Sequence, residues 1–319
     1  MFFVSEERAK RVVSTADAIE TIEDMFREYG QGEAVVFPVV MGKGPDTSNK
    51  FSMKSGLMQA RGVVGLKVGS YWPGNREQGK EAHASSTLLL DPETGYPHAF
   101  VEASNLTALR TAAADAVATK YLSREDSTTL AIFCAGHQAW FELLAVHEVR
   151  PIKKVLIANR FQASAIAFAK RIRDELGLDA ECAEKEIAAK SADIIVTVTA
   201  ACAPLFKASW VRPGTHISAM GADSEGKQEL DPFLISKSTL FTDVVQQSVS
   251  VGEYEAAYKA GLITMDQITT LGEILNGAQG RISNDEITIF DSSGMALQDL
   301  AICSLALNKA CKQGKAIKI

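Results

Sequence analysis

Between Leu130 and Leu144 the chain reads LAIFCAGHQAWFELL: an apolar run, a small-residue turn, then a helix-forming stretch. Such a turn cradles a dinucleotide when glycines stand at three places. The first permits the tight turn, the second lets backbone N–H groups approach the pyrophosphate, and the third lets helix and strand pack closely. Here those places hold Cys134, Gly136 and Ala139. Gly136 keeps the point of close approach, and Ala139 is small enough for the third. Cys134 fits only if its φ stays negative, because its Cβ restricts the turn. A helix starting near Gln138 would direct its positive end at a phosphate. Alone, the turn reads equally well as an ordinary strand–helix corner. The next strand, however, completes a β–loop–α–β unit and ends in IANRF. An acid at that end would hold the ribose hydroxyls of NAD. Asn159 and Arg160 offer an amide and a guanidinium instead, which suits a 2′-phosphate. This reading favours NADP(H) over NAD(H); the alternative makes Arg160 a solvated loop residue.

Three further charged residues stand where charge is unexpected. Arg110 interrupts the alanine-rich NLTALRTAAADAVATKYLS, as either a solvated side chain or a buried carboxylate clamp. Lys67 lies among the β-type residues of VVGLKV and would otherwise snorkel to a sheet edge. Asp223 follows HISAMGA, at the strand end where open α/β sheets place their ligand crevice. Its other reading is a cap for the next helix. Lys227, in the same loop, is a candidate cofactor or phosphate contact, or a surface lysine. Thr199, Met220 and Gly294 fall at strand ends or turns that would line a nicotinamide and its ribose. His137, Gln138 and His83 are candidate cofactor contacts; the two histidines could instead be structural.

The elements that must carry these residues come in two textures. Residues 14–32 predict a helix capped at Ser14 or Thr15, with Ile19, Ile22, Met25, Phe26 and Tyr29 on its core face. From 35 to 104 short β-rich runs dominate, and DPETG joins SSTLLLD to PHAFVEA as a hairpin. A helix over 105–123 follows, and then strands alternate with helices: TTLAIF, KVLIAN, ADIIVTVT, THISAM, TLFTDV and EITIFD. Near-continuous apolar strands alternating with helices predict a parallel sheet covered on both faces. QASAIAFAKRIRDELG ends on a C-cap glycine, and the final GMALQDLAICSLALNKACKQG is expected to return to the N-terminal domain.

Bulk properties narrow the class. The 319 residues are 46% hydrophobic and 23% charged, as in a globular protein of one large or two medium domains. A net charge of -6 gives no electrostatic reason to bind nucleic acid or an anionic membrane. The apolar runs are too short to span a bilayer, and MFFVSEERAKR lacks a signal peptide's apolar core. Five cysteines without a C-x-x-C pair, and five histidines without an H-x-x-x-H pair, favour reduced thiols and no protein-built metal site. The expectation is a cytoplasmic protein.

Several segments together resemble the ornithine cyclodeaminase/μ-crystallin family. They are GLKVGSYWPGN (65–75), NLTALRTAAADAVATKYL (105–122), CAGHQA (134–139), MGADSEGKQEL (220–230) and IFDSSGMALQDLA (289–301), in the family's order and approximate spacing. LTALRTAAA is the most specific. YWPGN and FTDVVQQSVSVGE look closest to the family's imine reductases acting on small 2-imino acids, iminosuccinate reductases among them. The resemblance implies a Rossmann dinucleotide-binding domain (118–296) and an α+β substrate-binding and dimerisation domain (1–117 with 297–319) in a homodimer. It implies nicotinamide redox chemistry at the carbon bearing an amino acid's nitrogen. Carried over by position, Arg110 binds the substrate carboxylate and lies near the cofactor, Lys67 holds the carboxylate or polarises the imine, and Asp223 exchanges a proton with the substrate nitrogen.

Two departures guide the choice of reaction. Cyclodeaminases of the family carry a glutamate shortly before the substrate lysine, but no acid occurs here between Asp46 and Glu77. A substrate ammonium would meet Lys54 and Arg61 instead. Many members also have an early arginine as a second carboxylate contact, and none occurs here between Arg27 and Arg61. Lys43, Lys50 or Lys54 could replace it, and Lys54 could bind a second carboxylate. The expected activity is NAD(P)H-dependent reduction of a small 2-imino acid, such as iminosuccinate or a cyclic ketimine, to an L-amino acid. Two alternatives stay open: conversion of L-ornithine to L-proline and ammonia, and a non-enzymatic μ-crystallin-like binder of NADPH and a ligand.

Overall fold

Burial along the strands separates two kinds of sheet. The computed structural model describes residues 1–319, the side chain of Arg76 excepted. The chain divides into two units, residues 1–110 with 295–319 and residues 111–294. The first division falls within a helix, seven residues before the boundary expected at 117.

The first unit begins with strand β1 (Phe2–Val4), helix α1 (Glu6–Val12) and helix α2 (Thr15–Gly30). Ser14 caps α2 in a capping box with Asp17, which satisfies backbone N–H groups of its first turn. Ile19, Ile22, Met25 and Phe26 form its buried face, with Tyr29 half-buried. Strands β2 (Ala34–Val36), β3 (Val40–Lys43), β4 (Lys50–Met58), β5 (Val63–Tyr71), β6 (His83–Leu90) and β7 (Pro97–Glu102) follow. β4 to β7 pair antiparallel in succession, and β6–β7 is the expected hairpin. Buried residues alternate with less buried ones along β6, as in a sheet with one face on a core. Helix α3 (Ser104–Leu122) then carries the chain into the second unit.

There the strands are β8 (Thr129–Phe133), β9 (Lys154–Ala158), β10 (Asp179–Cys182), β11 (Ile194–Thr197), β12 (His216–Ala219), β13 (Thr239–Thr242), β14 (Ile268–Thr270) and β15 (Thr288–Asp291). Helices α4 (His137–Val149), α5 (Gln162–Leu176), α6 (Lys185–Ser191), α7 (Pro232–Ile235), α8 (Val245–Ser248), α9 (Glu255–Lys259) and α10 (Leu271–Leu275) alternate with them. The sheet is parallel in the order β10-β9-β8-β11-β12-β15-β13-β14. β11, β12 and β15 are buried at every position, as a parallel sheet covered on both faces requires. Gly177, at φ 68°, ends α5 in the left-handed conformation that only glycine adopts cheaply. Chain order reverses between β8 and β11, which marks the crevice where such folds bind dinucleotides. β10, of mixed composition, and β14, of three residues, are too short to stand out in the sequence.

The chain returns to the first unit with helix α11 (Ala296–Lys312) and strand β16 (Ile317–Lys318), which pairs with β1. α11 packs on β4, β5, β6 and α2. Gly56 and Gly65 face each other across β4 and β5 beneath it. A Cβ at Gly56 would come 2.8 Å from Leu297, and one at Gly65 would lie 3.2 Å from Leu300 and strike the Leu88 carbonyl. The missing side chains let the helix settle onto the sheet. No helix among the described residues is long and apolar enough to cross a membrane.

Candidate active site

The close seat of α11 has a chemical result. Two residues beyond Gly65 on the same face of β5, Lys67 meets Asp299 on α11 with Nζ–Oδ1 2.8 Å. Arg110, from the first half of α3, donates from Nε to the same oxygen at 3.0 Å and from Nη1 to Gln298 Oε1 at 2.6 Å. Lys67, Arg110 and Asp299 are 6%, 7% and 1% exposed, which rules out a snorkelling lysine and a solvated arginine. Two buried cations thus share one buried carboxylate. Burial works to lower the Lys67 pKa and the Arg110 charge adds to it; Asp299 opposes them, and the outcome is about 8. Asp299 is itself held below its ordinary value, because Arg110 and Lys67 outweigh the effect of burial. Its second oxygen, Oδ2, and the Gln298 amide nitrogen have no hydrogen-bond partner among the described residues. Lys54 lies directly across from Lys67 in the β4–β5 register, and its charge acts on both Lys67 and Asp299. His83 opens β6 opposite Tyr71.

The candidate cofactor residues of the second unit gather at the C-terminal ends of five adjacent strands, β9-β8-β11-β12-β15. At the end of β8, Gly136 is the N-cap of α4, with φ -99° and no side-chain cap. The first turn of α4 holds no acid. Its amides and dipole are therefore arranged for an anion, which fits the pyrophosphate of a dinucleotide. His137 opens the helix with its ring 5.0 Å from that of Phe141, and Gln138 donates to Glu142 at 2.8 Å. Among the described residues none other than glycine has positive φ, so Cys134 takes the first position of the turn without backbone strain. Burial pushes its thiol pKa up, and the N–H groups of Gly136 and Ala135 point to the sulfur. A neutral thiol carries no charge against a phosphate.

At the end of β9, Asn159 donates to the Phe161 carbonyl at 3.0 Å, and the Arg160 guanidinium stands 4.7 Å from the exposed Phe161 ring. No acid occupies this strand end. Thr199 follows β11, and Met220 follows β12 and is buried. Further along the β12 loop, Lys227 reaches back to Asp223 at 2.6 Å and to the Gly221 carbonyl at 3.1 Å. The helix-cap reading of Asp223 is overturned: Asp231 is the N-cap of α7 and accepts from Phe233 at 2.9 Å. Gly294, past β15, has φ 75° and donates to Asp243 at 2.9 Å. Among the described residues no three His, Cys, Asp or Glu side chains could hold a metal ion.

Sequence reasoning missed Asp299 and Gln298, and also Glu229 and Glu253, which organise the loops after β11 and β12. For Asp299 the signal was an acid set in apolar surroundings, in ALQDLAIC; Gln298, Glu229 and Glu253 have no such local mark.

The family model of the ornithine cyclodeaminases and mu-crystallins matches residues 2–314. The chain is 38% identical over 319 residues to the iminosuccinate reductase of Paracoccus denitrificans, covering 100% of this chain and 99% of that one. It superposes with a TM-score of 0.95 on the crystal structure of that enzyme in complex with NAD+, again at 38% identity over 100% and 99% of the two chains. The Δ1-pyrroline-2-carboxylate reductase of Thermococcus litoralis, in complex with NADH and L-proline, gives a TM-score of 0.95 at 33% identity over 100% of both chains. The alanine dehydrogenase of Archaeoglobus fulgidus is 35% identical over 318 residues, 99% of this chain and 97% of that one. With the family model matched from residue 2 to residue 314, and such relatives covered over nearly their whole length, the chain belongs to the ornithine cyclodeaminase/mu-crystallin family.

Proposed function

We propose that the protein is a nicotinamide-dependent reductase that converts a small 2-imino acid into an L-amino acid. The observation that carries this reading is the pair of buried cations, Lys67 and Arg110, sharing one buried carboxylate. An excess of positive charge in a low-dielectric setting calls for an anion, and a substrate α-carboxylate supplies one. Bidentate pairing with Arg110 would fix the carboxylate and so aim the α-carbon. Lys67 would complete the clamp and polarise the imine.

A reduced nicotinamide, when bound, supplies the hydride that adds to the imine carbon. Gly136, His137 and Gln138 would hold its pyrophosphate, Thr199, Met220, Lys227 and Gly294 would line its nicotinamide and ribose, and Arg110 would lie near it. Asp223 would deliver the proton that ends on the substrate nitrogen, or keep that nitrogen protonated. The relatives seen with a cofactor hold NAD+ or NADH, which supports NAD(H) here. Asn159 and Arg160, with no acid beside them, extend acceptance to the 2′-phosphate of NADP(H). Lys54, across from Lys67, adds a third cation and favours a dicarboxylic imine such as iminosuccinate over pyrroline-2-carboxylate. The absence of an acid between Asp46 and Glu77 leaves the ammonium of ornithine without a partner, which disfavours cyclodeamination. A homodimer formed through the first unit accompanies this reading.

The test is cofactor oxidation, followed by absorbance, with ammonia and a panel of 2-oxo acids that includes oxaloacetate and pyruvate. Ammonia-dependent oxidation, fastest with oxaloacetate, is expected. No oxidation with any imine precursor would overturn the assignment. Asp223→Asn should lower turnover by about 10²- to 10⁴-fold while NADH still binds, an outcome that a mere ligand binder would not give.

A further inference from the structure

Asp223 lies on a loop, and loops are mobile unless something ties them down. Glu229 provides the tie. Its side chain is fully buried where the loops after β11 and β12 run side by side. One oxygen, Oε1, accepts the Thr199 N–H at 2.6 Å; the other, Oε2, accepts the Gly221 N–H at 3.1 Å. The Thr199 hydroxyl adds a further contact. Each oxygen thus serves one loop, and the spacing of a single carboxylate sets the spacing of the two. Gly221 has to be glycine for this approach, since a Cβ there would come 2.5 Å from Glu229 Oε2 and from the Thr199 carbonyl. Lys227 then links the Gly221 carbonyl to Asp223.

Glu229 is itself held by a second buried acid. Glu253 accepts the Glu229 N–H at 2.9 Å and the Leu230 N–H at 2.6 Å. The Glu229 carbonyl takes the Leu205 N–H at 2.7 Å. A buried carboxylate used only for stability would be costly beside an apolar substitute. One whose two oxygens are divided between two candidate site loops has a geometric task.

Building on the assignment of Asp223 above, we propose that Glu229 is a positioning residue that sets the separation of the Thr199 and Gly221 loops and so aligns Asp223 for proton transfer. Glu229→Gln tests it, because one oxygen becomes an NH2 donor facing an N–H donor and one of the two ties is lost. In the full-length protein, amide hydrogen exchange in segments 198–203 and 219–224 should speed up by about tenfold or more. In the imine assay kcat should fall by about 10- to 100-fold. The double variant Glu229→Gln/Asp223→Asn should be no more than about twofold slower than Asp223→Asn alone, because both changes disable one unit.

Unchanged exchange in both segments would overturn the proposal, and so would losses that multiply in the double variant, the pattern of a merely structural role. Should Glu229→Gln not fold, Glu229→Asp keeps both oxygens, draws them back by one CH2, and is read by the same two criteria. If the unaltered protein reduces no imine, the functional assignment fails, and the exchange measurement still decides whether Glu229 holds the two loops.

Discussion

The two units bury charge in opposite ways. In the first, two cations, Lys67 and Arg110, surround one carboxylate, Asp299. In the second, Glu229, Glu253 and Asp291 are buried, and their hydrogen-bond partners among the described residues are backbone N–H groups and hydroxyls. The first arrangement is short of negative charge and suits an anion brought from outside. The second uses Glu229 and Glu253 as acceptors of several backbone N–H groups, which ties backbone segments together. Burial pushes the pKa values of Glu253 and Asp291 well up, and the neighbouring acids push the same way. On the proposed assignment, one unit is built around a charge that arrives with the substrate, the other around acids that organise the fold.

The sharpest way to break this contrast is to neutralise one acid in each unit. Asp299→Asn leaves two buried cations uncompensated and should cost about 3–5 kcal/mol. Equilibrium urea unfolding would measure the loss, and a small dicarboxylate such as malonate should restore part of it. Glu253→Gln, replacing a carboxyl that already leans toward its neutral form, should cost only about 1–2 kcal/mol. Equal costs would erase the distinction.

A smaller effect follows from Lys67. Its folded pKa, about 8, lies below the ordinary lysine value of 10.5, so the cost of burying its charge is present below about 8 and relieved as pH rises toward 10.5. Anion binding runs the other way, since it needs the proton that Lys67 loses above about 8. The affinity for malonate should therefore weaken by up to about tenfold per pH unit above that point, and Lys67→Met should flatten the profile. A flat profile in the unaltered protein would show that Arg110 holds the anion alone. The smallest expected change lies in the second unit. Arg160→Ser should lower kcat/KM with NADPH by about tenfold, one charge-assisted phosphate contact, and leave NADH nearly unaffected. Equal losses with both cofactors would give Arg160 a role other than phosphate recognition.

Much of the second unit was legible in the sequence because its determinants are local. Apolar β-branched runs, Gly177 closing α5 and the CAGHQA turn announce a parallel sheet with a dinucleotide crevice. The same holds for Ser14 opening α2. β10 and β14 escaped notice because four and three residues carry too little pattern. Lys67, Arg110 and Asp223 stood out by type against their neighbours, but each kept two readings while its surroundings were unknown.

By itself, then, the sequence determined most strands of the second unit, the start of α2, the end of α5, and which residues are odd enough to do chemistry. Those properties depend on neighbours a few positions away. Tertiary structure decided that Lys67 and Arg110 share Asp299, at separations of 232 and 189 residues, and that Glu229 clasps Thr199 and Gly221 across two loops. The reason is that a buried charge must find its partners wherever packing brings them. That packing depends on a glycine pair letting α11 down onto the sheet, and no reading of adjacent residues contains it.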